Sequence, residues 1–193
     1  MNLKGIGLLV AFIFSAVILS CNEETYPTEI PYFTVNGIGN NVINNKTKQQ
    51  ITSSNPTVWN EVAYRIGFQI KGIAQSEYSP NGTLLAFGCP PVGYLGSKIG
   101  ILELEIISNS NYSSLIEVGE SASRLFGVEV LGELQSIEEF NLIFRENYNF
   151  KDFKLVLLRA PEEGGELQSF SIRIKFVGGT SFETTTNQIR IVK

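Results

Sequence analysis

The chain has 193 residues, 43% of them apolar and 18% charged, with a net charge of −4. That balance describes a globular chain, large enough for one well-formed core and with no basic cluster to serve as a nucleic-acid footprint. It contains no histidine. Serine–histidine and cysteine–histidine nucleophile activation, histidine acid–base catalysis and histidine metal sites are therefore excluded. Asp152 is the only aspartate, so a multi-aspartate calcium loop is excluded as well.

The N-terminus reads Met1-Asn2-Leu3-Lys4, and Gly5 to Ser20 then carry no charge. This stretch is too short and too rich in Gly and Ser to match the ~20 apolar residues of a membrane span. It has the charged start and apolar run of an export signal. The run Ile18-Leu19-Ser20-Cys21 resembles the lipobox of bacterial lipoproteins, with Ser20 in the small-residue slot. The resemblance implies cleavage before Cys21 and acylation of that cysteine. Residues 1–20 are then a signal peptide, residues 21–31 an acylated cysteine and tether, and residues 32–193 a single domain. The lipid bilayer is the expected partner, held through Cys21, because more than one acyl chain makes anchoring stable. Asn22-Glu23-Glu24 resembles the surface-export signal of lipoproteins in Bacteroidetes-type bacteria, which implies the outer membrane and exposure at the cell surface. With Cys21 acylated, Cys89 has no intramolecular partner, and a disulfide is not expected to hold the fold.

Pro27 and Pro31 discourage regular structure in the tether. Tyr32 to Ile38 opens the folded part, and the Asn-rich stretch Asn36 to Asn45 reads as turns. Val62, Tyr64, Ile66, Phe68 and Ile70 alternate with Ala63, Arg65, Gly67 and Gln69, which predicts a half-buried antiparallel strand. Thr83 to Phe87 follows the Asn81-Gly82 turn signal as a short strand. Ile99 to Ile107 alternates again, with Leu102, Leu104 and Ile106 expected to face the core and Glu103 and Glu105 the solvent. Ser136 and Glu139 fit a capping box, and Ile137, Phe140 and Phe144 follow at helical spacing, which predicts one helix from Ile137 to about Glu146. Phe153 to Arg159 returns to strand and ends at Pro161 and the turn Glu162-Glu163-Gly164-Gly165. Phe170, Ile172, Ile174 and Phe176 make one arm of a hairpin around Gly178-Gly179, whose other arm runs from Phe182 through Thr184-Thr185-Thr186 to Ile189 and Ile191. Strands at short intervals with one helix between them predict an all-β fold, an antiparallel β-sandwich of immunoglobulin-like or Greek-key type with one short helix.

Gly88-Cys89-Pro90-Pro91, followed by Gly93-Tyr94-Leu95-Gly96-Ser97-Lys98 and the strand from Ile99, resembles a group of Bacteroidetes outer-membrane lipoproteins of unknown function. Their C-terminal halves look like the run Phe153 to Ile191. The resemblance implies an outer-membrane location and a β-sandwich, and it carries over no catalytic residue.

Candidate chemistry is sparse. The Gly88–Gly96 loop reads as a rigid Pro-Pro connector with Cys89 as a small buried hydrophobe. Glu162, Glu163 and Glu166 read as a solvated acidic turn rather than a calcium site, which needs six or more oxygens. Glu103 and Glu105, about 7 Å apart at their α-carbons, could form a glycosidase pair only by generic spacing. Gly119-Glu120-Ser121-Ala122-Ser123 misses the nucleophile elbow by its last residue. Trp59, Tyr78 and Tyr94 are the aromatics best placed to stack on a sugar. The expectation is a non-catalytic binding or assembly module at the envelope, with a glycan or an envelope protein as its contact and with no metal and no cofactor. The alternatives are a structural accessory subunit of an envelope complex and, less favoured, a glutamate-dependent glycan-active enzyme.

Overall fold

The structure is a computed structural model, and it describes residues 32–52, 55–73, 95–162 and 165–193. Cys21, Tyr78, Tyr94, Cys89 and the strand expected at Thr83 to Phe87 lie outside the described residues. Within them the chain is an all-β sandwich with one short helix, as its alternation predicts. A six-stranded sheet has the order β4-β1-β3-β8-β6-β7, formed by β1 (Tyr32–Asn44), β3 (Val62–Ile73), β4 (Gly96–Ser97), β6 (Phe126–Val130), β7 (Glu133–Gln135) and β8 (Asp152–Leu157). A three-stranded sheet, β11-β10-β5, joins β5 (Ile101–Ser108), β10 (Phe170–Phe176) and β11 (Ser181–Thr185). A smaller one, β2-β12-β9, joins β2 (Thr57–Val58), β9 (Leu167–Gln168) and β12 (Ile189–Val192).

Alternation determines which side chains fill the space between the two larger sheets. Tyr64, Ile66 and Phe68 of β3, Phe153 and Leu155 of β8, and Phe170, Ile172, Ile174 and Phe176 of β10 are all buried. Burying one such aliphatic or aromatic side chain is worth roughly 1.5–3 kcal/mol. Tyr64 meets Phe126 and Phe170 edge-on at 5.8 and 5.7 Å, so rings from both sheets interlock at one end of the core. Phe68 meets Phe153 and Phe176 at 5.9 and 6.2 Å and does the same at the other end.

The Asn36–Asn45 stretch is strand, not turn, until its last residues. β1 pairs with β3 along its whole length, from Tyr32 opposite Ile73 to Asn44 opposite Val62. Phe33, Ile38 and Val42 are its buried residues, and they break simple alternation because the register shifts between Val35 and Gly37. Asn36 is the extra residue of that bulge, and the bulge moves the inward parity from odd to even positions. The asparagines have separate tasks. Asn40 Nδ2 donates to Thr184 Oγ1 at 2.7 Å and to the Thr185 carbonyl at 3.0 Å, joining β1 to β11 of the other sheet. Asn44 Oδ1 accepts from the backbone N–H groups of Lys46 and Thr47, both at 2.9 Å, and so makes the turn that follows.

Leu102 does not face the core. It is exposed, whereas Ile101 is fully buried, because a second register shift lies opposite it, between Lys175 and Phe176 of β10. Leu104 and Ile106 are buried as expected. The expected helix is α1 (Ile137–Ile143), ending earlier than Glu146. Its capping box is complete: Glu139 N donates to Ser136 Oγ at 3.1 Å, and Ser136 N donates to Glu139 Oε2 at 2.9 Å. Ile137 and Phe140 are buried, and Phe144 packs against the same core.

Helix α1 lies along the open edge of β5. Asn141 Oδ1 accepts from Leu104 N at 2.8 Å, and the Phe144 carbonyl accepts from Ile101 N at 2.7 Å. The approach is so close that a Cβ on Gly100 would lie 1.8 Å from the Arg145 carbonyl oxygen. Two hairpins close on left-handed residues. Gly178 and Gly179 have φ of 100° and 90°, as the Gly-Gly pair predicts. Leu131 and Gly132 have φ of 52° and 92° between Val130 and its partner Glu133, the backbone of a type I′ turn. Leu131 is an unusual residue there, since a side chain in this conformation costs about 1–2 kcal/mol.

Three substitutions test this account by urea denaturation. Gly100→Ala is expected to lower stability by about 1–3 kcal/mol, because the backbone it meets cannot move aside as a side chain would. Leu131→Asn is expected to raise stability by roughly 0.5–1 kcal/mol, because Asn tolerates the left-handed region. Ser136→Ala is expected to lower it by about 1 kcal/mol through loss of the cap.

Candidate functional site

Where β5 ends at Ser108 the chain makes a long excursion before β6, and that excursion forms one wall of a groove. Ile116 secures it, fully buried in the core. Tyr112 anchors the near side: its ring meets Phe170 at 6.0 Å, and its hydroxyl donates to the Arg159 carbonyl at 2.7 Å. Burial pushes the Tyr112 phenol well above its ordinary range. Asn111 Oδ1 accepts from Val118 N at 3.2 Å and holds the loop closed. Gln168, itself buried, receives a hydrogen bond from Ser110 Oγ at 2.6 Å and donates to the Asn111 carbonyl at 3.1 Å. The excursion is thus bound to the β9 segment.

The opposite wall comes from the connection after β8. Glu162 accepts hydrogen bonds from Ser114 N at 2.8 Å and from Ser114 Oγ at 3.2 Å, while its own N–H donates to the Tyr112 carbonyl at 3.3 Å. Between the walls lies a groove of about 250 Å³ lined by Asn111, Tyr112, Ser113, Ser114, Glu117, Glu162 and Glu166. Leu115 and Val118, chain neighbours of the lining residues Ser114 and Glu117, stand exposed. The lining offers three carboxylates and two serine hydroxyls to a ligand rich in N–H or O–H donors, and its size suits one or two small groups rather than the ~300–1,000 Å³ occupied by larger ligands.

Glu162 is held below the usual carboxylate range, first by the Ser114 backbone N–H, then by the Ser114 hydroxyl and the charge of Lys193. Its two hydrogen bonds to Ser114 brace the walls. No group of three or more carboxylate or cysteine side chains is arranged to hold a metal ion among the described residues.

Glu162 and Glu166 do share the groove, while Glu163 lies outside the described residues. Trp59 is half-buried and packs against the core. Glu103 and Glu105 are committed to ion pairs, Glu103 with Lys175 at 2.6 Å and Glu105 with Arg173 at 3.1 Å. Arg173 also reaches Glu183 at 2.9 Å, so these groups form a charged ladder across β5, β10 and β11. Sequence reasoning missed Ser114 and Asn111, which carry no local signature. Ser114 and Glu162 come together only in the folded chain.

No family model matches the chain, and no curated protein does. Among solved structures, the chain is similar to the C-terminal domain of the AgI/II polypeptide BspA of Streptococcus agalactiae, at 7% identity and a TM-score of 0.30, covering 81% of this chain and 49% of that one. A structure titled BspA_C_mut matches at 8% identity and a TM-score of 0.31, covering 81% of this chain and 46% of that one. The chain thus spans about half the length of the solved structures it matches.

The brace has a pH signature. Because the folded value of Glu162 lies below its ordinary 4.5, its contribution is present above that value and is lost as pH falls through the lower folded one. Glu162→Gln is therefore expected to lower the urea midpoint at pH 7 and to narrow its gap from wild type at pH 3. Equal gaps at both pH values would rule out the charged brace.

Proposed function

We propose that the protein is an acylated envelope lipoprotein whose sandwich acts as a non-catalytic binding or assembly module. The observation that carries this reading is Cys21, placed directly after Ile18-Leu19-Ser20 at the end of an uncharged run that follows Lys4. Acylation there makes position at the bilayer the protein's best-supported property, because two or more buried chains hold a protein with negligible dissociation. Asn22-Glu23-Glu24 and the likeness of Gly88–Lys98 to Bacteroidetes lipoproteins favour the outer membrane and its outward face.

The groove between Ser114 and Glu162 is the ligand contact in this reading. Its carboxylates and hydroxyls suit hydroxyl-rich or amine-bearing groups, which a glycan or the polar side chains of an envelope protein would supply. Exposed Leu115 and Val118, chain neighbours of the lining residues Ser114 and Glu117, favour the protein partner, since a recognition surface pairs an apolar contact with polar groups around it. The glutamate-dependent enzyme has no such support, because Glu103 and Glu105 are each engaged by a cation.

Two measurements test the proposal. Cys21→Ser is expected to move the protein from the membrane fraction to the soluble one. Its full retention in the membrane would exclude the lipid anchor. Probing a glycan array with the full chain, alongside co-purification of envelope proteins, identifies the contact. The double variant Glu162→Gln/Glu166→Gln is expected to weaken whichever binding is found by at least about tenfold, the loss of one charge-assisted hydrogen bond. Undiminished binding would place the contact elsewhere.

A further inference from the structure

The six-stranded sheet ends on β7, which pairs with β6 on one side only. Leu134, at the centre of β7, is 58% exposed, and Leu131 at the turn before it is 87% exposed. Leu158, which follows β8, is exposed as well. Phe126, Val128 and Val130 of β6 face the core, so Gly127 and Glu129 point to the outer face of the sheet. Leu134 and Leu158 converge there over Gly127: a Cβ on that glycine would lie 2.7 Å from Leu134 Cδ1 and 3.3 Å from Leu158 Cδ2. The two leucines cover bare backbone and are themselves left open to solvent. Glu129, the residue opposite Leu134, is neutralised by an ion pair with Lys154.

The turn decides which way the polar groups of this edge point. In a two-residue type I′ hairpin the flanking residues, here Val130 and Glu133, exchange both hydrogen bonds, and successive pairs then alternate between bonded and non-bonded. Glu129 and Leu134 are the next pair and therefore a non-bonded one. The N–H and C=O of Leu134 consequently point away from β6, toward the open edge. One donor and one acceptor thus stand at the middle of a three-residue strand.

We propose that this edge pairs with the same edge of a second copy, antiparallel about a two-fold axis at Leu134. That operation brings Leu134 N–H to the carbonyl of the partner's Leu134 and its carbonyl to the partner's N–H, so both outward groups are satisfied at once. Directly opposite side chains share a face, so the Leu134–Leu158 pairs of the two copies merge into one patch of four leucines. The same register sets the Glu133 carboxylate opposite the amide of the partner's Gln135 and puts no like charges directly opposite each other. This match selects a second copy as the occupant: the acid lies one residue before the axis and the amide one residue after it, as antiparallel self-pairing requires. The contact is well short of the ~800 Å² per partner of a standard interface, so the association is weak and depends on concentration. It depends on the edge alone and not on acylation of Cys21.

The test uses the full chain in detergent with Cys21→Ser and Cys89→Ser, so that an added cysteine is the only one. Leu134→Cys is expected to give a disulfide-linked dimer on oxidation with copper phenanthroline, because the register sets the two α-carbons about 5.5 Å apart, within disulfide reach. Leu142→Cys, exposed on the last turn of α1, reports random collision and is expected to give at least about fivefold less dimer. Sedimentation of the cysteine-free chain is expected to show a monomer–dimer equilibrium. Leu134→Lys, which places a charge on the edge, is expected to weaken that equilibrium at least about tenfold while keeping the urea midpoint. Cross-linking no greater at Leu134→Cys than at Leu142→Cys overturns the proposal. So does self-association that Leu134→Lys leaves unchanged, or a chain that stays monomeric up to about 1 mM.

Discussion

The rest of the structure depends on the ring cluster around Phe68. Phe68 lies on β3 in the larger sheet and touches Tyr148, Phe150, Phe153 and Phe176 within 6.2 Å. Phe176 belongs to the other sheet, and Phe150 and Phe153 in turn meet Phe140 of α1 at 6.1 and 5.1 Å. One side chain thus connects both layers and the helix. Offset and edge-on ring pairs add about 0.5–1.5 kcal/mol each beyond their buried area, so the cluster favours one mutual placement of the sheets over many slightly shifted ones. The second cluster, Tyr64 with Phe126 and Phe170, holds the other end and supports the wall from which the groove is built. That cluster includes a cost: the Tyr64 hydroxyl is buried without a hydrogen-bond partner. The ring packing around it must outweigh that loss.

A sandwich exposes strand edges, and this chain covers them in ways that also make its surfaces. The edge of β5 is covered along its length, by Asn141 and Phe144 at its start and by Ser123, Ala122 and Glu120 further on. The first pair holds the last turn of α1 against the start of β5. The second group directs the chain into the excursion that forms the groove. β11 is approached by Asn40 of β1 and β7 is only three residues long, so neither offers a long open template. Covering β5 and forming the groove are one arrangement of the backbone.

How much of this was legible in the sequence follows from the range of each signal. The β3 and β10 strands, the Ser136 cap and the Gly178-Gly179 turn were legible because each is stated within ten residues or so by alternation or turn chemistry. β1 was not, because the bulge at Asn36 shifts its inward positions from Phe33 to Ile38 and Val42, and a broken alternation full of asparagine looks like turns. Leu102 misled for the same reason: the bulge that turns it outward is stated in its pairing with β10, not in its own neighbours. The β6–β7 hairpin turns on Leu131-Gly132, where Asn-Gly is the usual signal, so its local sequence concealed it. The groove was least legible, since Ser114 and Glu162 meet only through pairings among β5, β8 and β9. Trp59 flanks a strand and is half-buried against the core, and an aromatic in that place has no sequence mark that separates a binding platform from a packing contact.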